Sequence, residues 1–174
     1  MAETFLALLT AHLLGDFVIQ TDWMLKNKRK KLVLLLHVTT ICIASLAMLR
    51  SFHWQIVITV FVTHLFFDFL KTKASKDSTG PFLIDQIAHI SVAAILAVVF
   101  PDTSANGWWP VSIPEWLPWF HSGLCLLYGV ILIVPAGGIL IGKLTEPIRE
   151  EIKESKIIVA GQIHTRPMTI LATI

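Results

Sequence analysis

The sequence has few charged residues and few cysteines for its length. Only 15% of its 174 residues are Asp, Glu, Lys or Arg, whereas 55% are hydrophobic and the mean hydropathy is +0.71. An ordinary soluble domain is about 45–50% apolar even when glycine is included. The charges stand in short groups between long apolar runs. This pattern excludes a typical soluble domain and predicts a protein that crosses a membrane several times.

Two further scarcities narrow the class. Cys42 and Cys125 are the only cysteines, and each falls within a different apolar run, which favours buried free thiols and indicates neither a disulfide framework nor a zinc ribbon. The first apolar run lacks the basic residues before it and the small-residue cleavage site after it that a secretory signal would need. We therefore expect that run to be a retained helix.

Five apolar runs are long enough to cross a bilayer, for which about 20 residues suffice. They lie at residues 4–22, 32–50, 53–70, 82–100 and 118–142. The sequence thus predicts an all-α polytopic bundle of about five transmembrane helices over residues 1–143. Residues 144–174 follow as an amphipathic tail, in which Ile148 and Ile152 give a narrow apolar stripe.

The basic residues alternate between successive connections. KNKRKK (26–31) carries five, the next connection carries only Arg50, KTKASK (71–76) carries three, and residues 101–117 carry none. By the positive-inside rule, the N-terminus should face outside and the C-terminal tail the cytoplasm. The partner we expect is the lipid bilayer, with no nucleic acid, and a homo-oligomer is left open.

A short pattern occurs twice at a spacing of 52 residues. HLLGDF (12–17) returns as HLFFDF (64–69), and the same offset places His37 over His89. These matches predict a duplicated helical hairpin, with halves at 4–50 and 53–100 that run in parallel around a pseudo-twofold axis along the membrane normal. Coincidence is the alternative, because the other positions match only as apolar sequence. Asp85 has no counterpart, since it maps to Val33.

Seven His and Asp residues lie within the first four apolar runs and not at their terminal positions. Six of them form three His–Asp pairs four residues apart, and such pairs share one face of a helix. At about 1.5 Å of rise per residue, all seven lie at similar depths near the basic connections. A carboxylate facing lipid costs about 2.5–3.5 kcal/mol, so these side chains should turn inward and meet. The seven are His12, Asp16, His37, His64, Asp68, Asp85 and His89.

Imidazole and carboxylate groups are ligands for Zn²⁺, Fe²⁺ and Mn²⁺, and helical bundles build metal sites from them. The set predicts a divalent-metal site, with zinc favoured and iron or manganese as alternatives. The predicted ligands are His12, Asp16, His37, His64, Asp68 and His89. Asp85, which lacks a repeat partner, is the candidate catalytic base.

Other interpretations of the same residues stay open. A single His–Asp pair serves equally well as a hydrogen-bonded clip between two helices. Haem ligation by four histidines is disfavoured by the neighbouring carboxylates. Transport of a divalent ion or of protons is the main rival, and a non-catalytic scaffold is a third class. Inward of the residues at their outer ends, the outer halves of the second to fourth runs hold only Thr and Ser as polar residues, which favours a closed site over a transport route.

Gln20, Asp22 and Lys71 stand beside the polar layer, next to the basic connections. Together they would form a cationic mouth suited to a lipid or another anionic substrate. For the KNKRKK run itself, ordinary positive-inside anchoring is the favoured alternative. The hypothesis that follows is a metal-dependent hydrolase of an amphiphilic or phosphorylated substrate, acting from the cytoplasmic side.

The motifs as a set resemble those of a known family. HLLGDFVIQTDW, the His of the second run, HLFFDFLK and DQIAH are together similar to an uncharacterised bacterial membrane family, the domain of unknown function 3307, over about residues 5–95. The resemblance implies a bacterial inner (cytoplasmic) membrane and a similar topology, but no activity. The matching positions are His12, Asp16, Gln20, Asp22, His37, His64, Asp68, Asp85 and His89. A remoter likeness to membrane-bound metal-dependent hydrolases is one of pattern and gives only analogy.

Overall fold

The computed structural model describes residues 1–73, 79–108 and 113–164. Within these ranges the regular elements are all helical. They are α1 (Ala2–Leu14), α2 (Asp22–Asn27), α3 (Lys31–Leu49), α4 (Trp54–Lys73), α5 (Thr79–Val99), α6 (Leu117–Ile131) and α7 (Gly137–His164). A π-helical segment, Gly15–Ile19, prolongs α1, and a second one, Leu132–Ala136, joins α6 to α7.

Five helical stretches are long and apolar enough to span a membrane. They are Ala2–Ile19, Lys31–Leu49, Trp54–Lys73, Thr79–Val99 and Leu117–Ser155. Large apolar side chains such as Leu32, Ile84 and Ile133 are at least 70% exposed on their outer faces. A surface of this kind suits hydrocarbon better than water. The predicted all-α bundle with five spanning helices is confirmed.

Four of the spanning helices form a ring. Helix α1 packs against α3 and α5, and α4 packs against the same two helices, so that α1 and α4 face each other across the centre. Helix α6 lies against α1 on the outside of the ring. A pseudo-twofold axis that relates the α1–α3 hairpin to the α4–α5 hairpin would exchange α1 with α4 and α3 with α5. Helices exchanged in this way must lie opposite each other in the ring, as they do here. The duplication itself stays a prediction.

The two ends of the ring differ in chemistry. At one end, which we call the Arg50 end, the N-terminal amine and the Thr4 hydroxyl donate to the carbonyl of Pro101 at 2.7 and 2.8 Å. At the opposite end, which we call the basic end, Thr21 caps α2 by accepting a hydrogen bond from the Met24 amide. The first and second connections, which differ in basic residues, thus lie at opposite ends.

Arg50 itself is buried, although the sequence suggested only a lone basic residue in a connection. Its side chain is 1% exposed, and its Nη2 donates to the carbonyl and hydroxyl oxygens of Ser104 at 2.7 and 2.6 Å. The guanidinium carbon lies 4.1 Å from the centroid of the Phe120 ring. Arg50 therefore ties the end of α3 to the segment after α5 and to α6.

Helix α7 continues through the predicted boundary between the fifth span and the tail. Pro147 has no amide to donate to the Lys143 carbonyl, which would end many helices. Here the Thr79 hydroxyl donates to that carbonyl at 3.1 Å, and Thr145 bonds back to Ile141 within the same helix. The segment 144–164 is thus a continuation of α7, and residues 165–174 of the predicted tail lie outside the described residues.

We expect Gly107→Ala to destabilise the fold by about 2 kcal/mol. A Cβ at residue 107 would stand 2.7 Å from the backbone oxygen of Arg50, so the backbone itself would have to move. Gly123→Ala is the matched control, because a Cβ there meets nothing within 4 Å. Thermal unfolding in detergent measures the difference, and equal midpoints for the two variants would contradict the expectation.

Candidate metal centre

The seven predicted His and Asp side chains meet in the half of the ring nearer the basic end. They come from α1, its π-helical extension, α3, α4 and α5, and each side chain is at most 7% exposed. We call this group the His–Asp cluster. Each pair four residues apart on one helix faces inward, as the periodicity of a helix requires.

Four donor atoms lie at the centre of the cluster. Nε2 of His37 is 3.2 Å from Oδ1 of Asp16 and 3.3 Å from Oδ2 of Asp68. Nε2 of His64 is 3.5 and 3.8 Å from the same two oxygens, and the two nitrogens are 3.4 Å apart. Five of the six separations among these four atoms therefore lie between 3.2 and 3.8 Å.

These five separations suit a first-row divalent ion. Zinc binds nitrogen and oxygen ligands at about 2.0–2.2 Å, which places tetrahedral ligand atoms about 3.3–3.6 Å apart. The five distances of 3.2–3.8 Å bracket that range. The ligand types and their spacing are therefore both suited to zinc.

The π-helical segment explains how Asp16 reaches this position. Gly15 begins the segment, and a Cβ there would lie 1.8 Å from Cδ1 of Ile41 on α3. Glycine thus lets α1 approach α3 closely. Single π turns within α-helices often occur at functional sites, because they change which face a side chain occupies.

A second group of donor atoms shares two residues with the first. Donor atoms of His12, Asp16 and His64 lie within 4.8 Å of one another, as do those of His37, His64 and Asp68. Nδ1 of His12 is 4.0 Å from Oδ2 of Asp16, whose Oδ1 faces His37 and His64. The two oxygens of Asp16 thus face different histidines, as in a carboxylate that bridges two ions.

Asp85 and His89 lie at the side of these two groups. Oδ2 of Asp85 accepts a hydrogen bond from Lys71 at 2.7 Å, and Oδ1 is 3.6 Å from Nδ1 of His89. That Nδ1 donates to the Asp85 carbonyl at 2.7 Å, which leaves Nε2 of His89 buried and without a hydrogen-bond partner among the described residues. A cavity of about 30 Å³, enough for one water molecule, borders His12, His64 and His89.

Polar neighbours orient the donor atoms. Lys28 donates to Oδ1 of Asp68 at 2.8 Å and leaves Oδ2 to the histidines. Nε2 of the Gln20 amide lies 3.1 Å from Nδ1 of His37, and its oxygen would replace it if the amide turned over. For Nε2 of His37 to bind a metal, Nδ1 must keep its proton and the amide must present its oxygen to it.

Gln86 connects both sides of the cluster. Its Oε1 lies 3.2 Å from Nε2 of His12, and its Nε2 lies 3.4 Å from Oδ2 of Asp16 and 3.3 Å from Oδ2 of Asp85. Sequence reasoning did not identify Gln86 or Lys28. Gln86 is part of the DQIAH motif, so that motif could have indicated it. Lys28 belongs to the basic run 26–31, and its contact with the buried Asp68 leaves no periodic pattern in the sequence.

A cleft of about 540 Å³ reaches the cluster from the basic end. Asp16 and Gln86 line it, so it touches one of the four central ligands. Gln20, Asp22 and Lys71 line it as well, and Asp22 is exposed and belongs to neither donor group. Its cationic lining residues are Lys26, Lys28, Arg29, Lys71 and Lys143.

Five helical stretches long and apolar enough to span a membrane, four of them around a buried His–Asp cluster, define an integral membrane protein with a candidate metal centre. Residues 4–115 match the family described as protein of unknown function (DUF3307), which covers more than half of the chain. The chain therefore belongs to this family, as the resemblance predicted. Comparisons with curated proteins and with solved structures give no significant match. The matched range contains the complete His–Asp cluster.

Proposed function

We propose that the protein is a membrane-embedded, metal-dependent hydrolase whose amphiphilic or phosphorylated substrate enters through the cleft. One observation carries the proposal. Two imidazole nitrogens lie 3.4 Å apart, and each lies 3.2–3.8 Å from the same two carboxylate oxygens, which are separations that ligands of one divalent ion have; one of those carboxylates, Asp16, also lines the cleft. Substrate and metal would meet at Asp16.

The charges of the cluster support a cation at this place. Oδ1 of Asp16 and Oδ2 of Asp68 are buried and accept no hydrogen bond from the described residues. A buried carboxylate oxygen without a partner is costly. Three aspartates face two lysines here, so neutral histidines leave one net negative charge for a divalent ion to offset. Zinc fits best, and iron or manganese would use the same ligands.

The residues divide into roles. His37, His64 and Asp68 would hold one ion together with Oδ1 of Asp16, and His12 with Oδ2 of Asp16 would be available to a second. An ion bound there would polarise the scissile group and activate water for attack at neutral pH. Gln20 and Lys28 would keep their partners His37 and Asp68 in the binding orientation.

The position of Asp85 suggests an indirect role. Lys71 holds its carboxylate, so Asp85 acts better as a group that orients His89 than as the base itself. His89 would accept the proton of the attacking water at Nε2 and return it to the leaving oxygen. The water oxygen bonds to the electrophilic atom while the ester bond breaks, so the sum of the reaction is hydrolysis.

The opposite end of the ring bears on the transport alternative. A buried apolar cluster fills the ring between the His–Asp cluster and the Arg50 end. It includes Ala7, Leu8, Leu49, Ile56, Ala93 and Leu96. Beyond the hydroxyls of Ser45 and Thr63, which border the small cavity beside the histidines, an ion would meet mainly apolar side chains, which favours a closed site.

The test combines metal content with hydrolysis. We expect the purified protein to hold one or two equivalents of divalent metal and to hydrolyse a fluorogenic alkyl phosphate ester, with a chelator abolishing turnover. Asp85→Asn should lower turnover about 100-fold while the bound metal remains. Asp102→Asn, an exposed loop change, is the control. Metal-dependent ion uptake into liposomes without hydrolysis would replace this proposal with transport, and hydrolysis that survives the chelator would end it.

A further inference from the structure

The cleft at the basic end carries an excess of positive charge. Five cationic side chains line it, against the two carboxylates of Asp16 and Asp22. Lys28 and Lys71 are already engaged with buried aspartates. Lys26 and Arg29 are exposed and form no ion pair within the described part of the chain. The cleft therefore has cations that the His–Asp cluster does not use.

These cations reach the cleft from separate elements. Lys26 belongs to α2, Arg29 to the turn after it, Lys71 to α4 and Lys143 to α7. The ammonium groups of Lys71 and Lys143 each lie 5.5 Å from the centroid of the Phe82 ring, so two helices bring their charges to the same aromatic side chain. Convergent ammonium and guanidinium groups suit an anion with several oxygens, and phosphate is the commonest of these.

Another part of the same cleft is apolar. Phe17, Leu25, Phe82 and Ile139 contribute to its lining. Leu25 is 52% exposed and Ile139 is 40% exposed, so these two are not simply part of the packed interior. A volume of about 540 Å³ lies within the range of small-molecule sites, which is about 300–1,000 Å³. A free phosphate ion would leave this apolar lining unused.

We propose that the cleft binds the phosphate headgroup of a membrane-resident amphiphile, with the cations around the phosphate and the apolar lining around the first part of its chain. The inference rests on the proposed function for what happens after binding, because it identifies the substrate class of that site. Binding itself needs only the cleft. The phosphate would lie next to Asp16 and Gln86, at the border of the His–Asp cluster.

The test uses soluble ligands and the full-length protein in detergent. Dioctanoyl phosphatidic acid, dioctanoylglycerol and inorganic phosphate are titrated separately, by calorimetry and by native mass spectrometry. We expect the phosphatidic acid to bind at least about tenfold more tightly than inorganic phosphate, and the glycerol lipid not to bind. The double variant K26Q/R29Q should weaken binding of the phosphatidic acid about 100-fold, since two charge-assisted contacts are lost.

The chain offers a matched control within the same basic run. Lys30 and Lys31 are exposed but do not line the cleft, so K30Q/K31Q removes the same charge and should leave affinity unchanged. Equal weakening by both double variants would overturn the proposal in favour of general surface attraction. If inorganic phosphate binds as tightly as the phosphatidic acid, the proposal that the ligand is an amphiphile is wrong.

Failure here and failure of the proposed function give different results. Lipid binding that persists in chelator-treated protein, with no metal found in the untreated protein, would sustain the headgroup site and refute the hydrolase. If the protein binds metal but has no affinity for the lipid, the headgroup site is refuted and the candidate metal centre is sustained. Size-exclusion profiles of both double variants check that the changes leave the fold intact, as their exposed positions predict.

Discussion

His64→Ala should remove essentially all bound divalent metal, from one or two equivalents to below about 0.1 after dialysis against a weak chelator. His64 is common to both donor groups of the cluster, so its loss leaves neither group complete. Structural zinc sites release about 10–16 kcal/mol over four ligands, or roughly 3 kcal/mol for each. One ligand is thus worth about a hundredfold in affinity, and here the same substitution also leaves two buried carboxylates unbalanced.

Comparison with two other histidine variants sharpens this result. His12→Ala affects only the second donor group, so we expect it to lower two equivalents to one, or to leave a single equivalent unchanged. His121→Ala is the control, because that imidazole lies at the Arg50 end, 3.5 Å from Glu3. Elemental analysis of all three proteins decides the matter. A His64→Ala protein that keeps the wild-type metal content would show that the histidines serve only to hold helices together.

The inward meeting of the seven His and Asp residues could be predicted from sequence because lipid gives ionisable groups no alternative. Their spacing of four residues puts each pair on one helix face, and the cost of a charge facing hydrocarbon fixes which way that face turns. His37 has no such partner on its helix, but its depth placed it in the same layer. Periodicity and solvent together thus determined the cluster, including its position near the basic connections.

The contacts that complete the site lay beyond such reasoning. Lys28 reaches Asp68 from a connection whose charges are explained equally well by membrane orientation, so the sequence gives no reason to single it out. Gln86 was overlooked because an amide next to Asp85 and near His89 adds no ionisable group. The indirect role that we propose for Asp85 depends on a contact of the same kind. Only the three-dimensional approach of Lys71 shows that this carboxylate is already paired.

Helix order and helix continuity also required the structure. The duplicated pattern suggests two hairpins, but which helices become neighbours depends on side-chain packing that many apolar sequences satisfy equally well. The boundary expected near residue 143 rested on the end of the fifth apolar run, but α7 continues past it and through Pro147. Pro147 leaves the Lys143 carbonyl without its usual amide donor. The hydroxyl of Thr79, on α5, donates a hydrogen bond to that carbonyl instead. A long-range contact of this kind leaves no trace in the local sequence.

Arg50→Met should destabilise the fold by about 3 kcal/mol and leave the metal content unchanged. Burial lowers the pKa of the Arg50 guanidinium from its ordinary value and nearby Glu3 opposes this, but an arginine stays charged, so its contacts are those of a cation. Methionine fills a similar volume but cannot donate to the two Ser104 oxygens, which would lose their charged donor inside the protein. Arg149→Met, on an exposed part of α7, removes the same charge and should leave the unfolding midpoint unchanged.

The thermal unfolding midpoint and the metal content report on opposite ends of the molecule. Arg50 lies at the end of the ring away from the His–Asp cluster, with the buried apolar cluster between them, so the substitution should lower the thermal unfolding midpoint without touching a ligand. Arg50→Lys should give an intermediate midpoint, because an ammonium keeps the charge but loses the planar stacking on Phe120. If Arg50→Met unfolds at the wild-type temperature, the buried guanidinium does not hold this end together. If it instead loses its metal at an unchanged midpoint, the two ends are coupled, and the apolar cluster does not isolate the candidate metal centre.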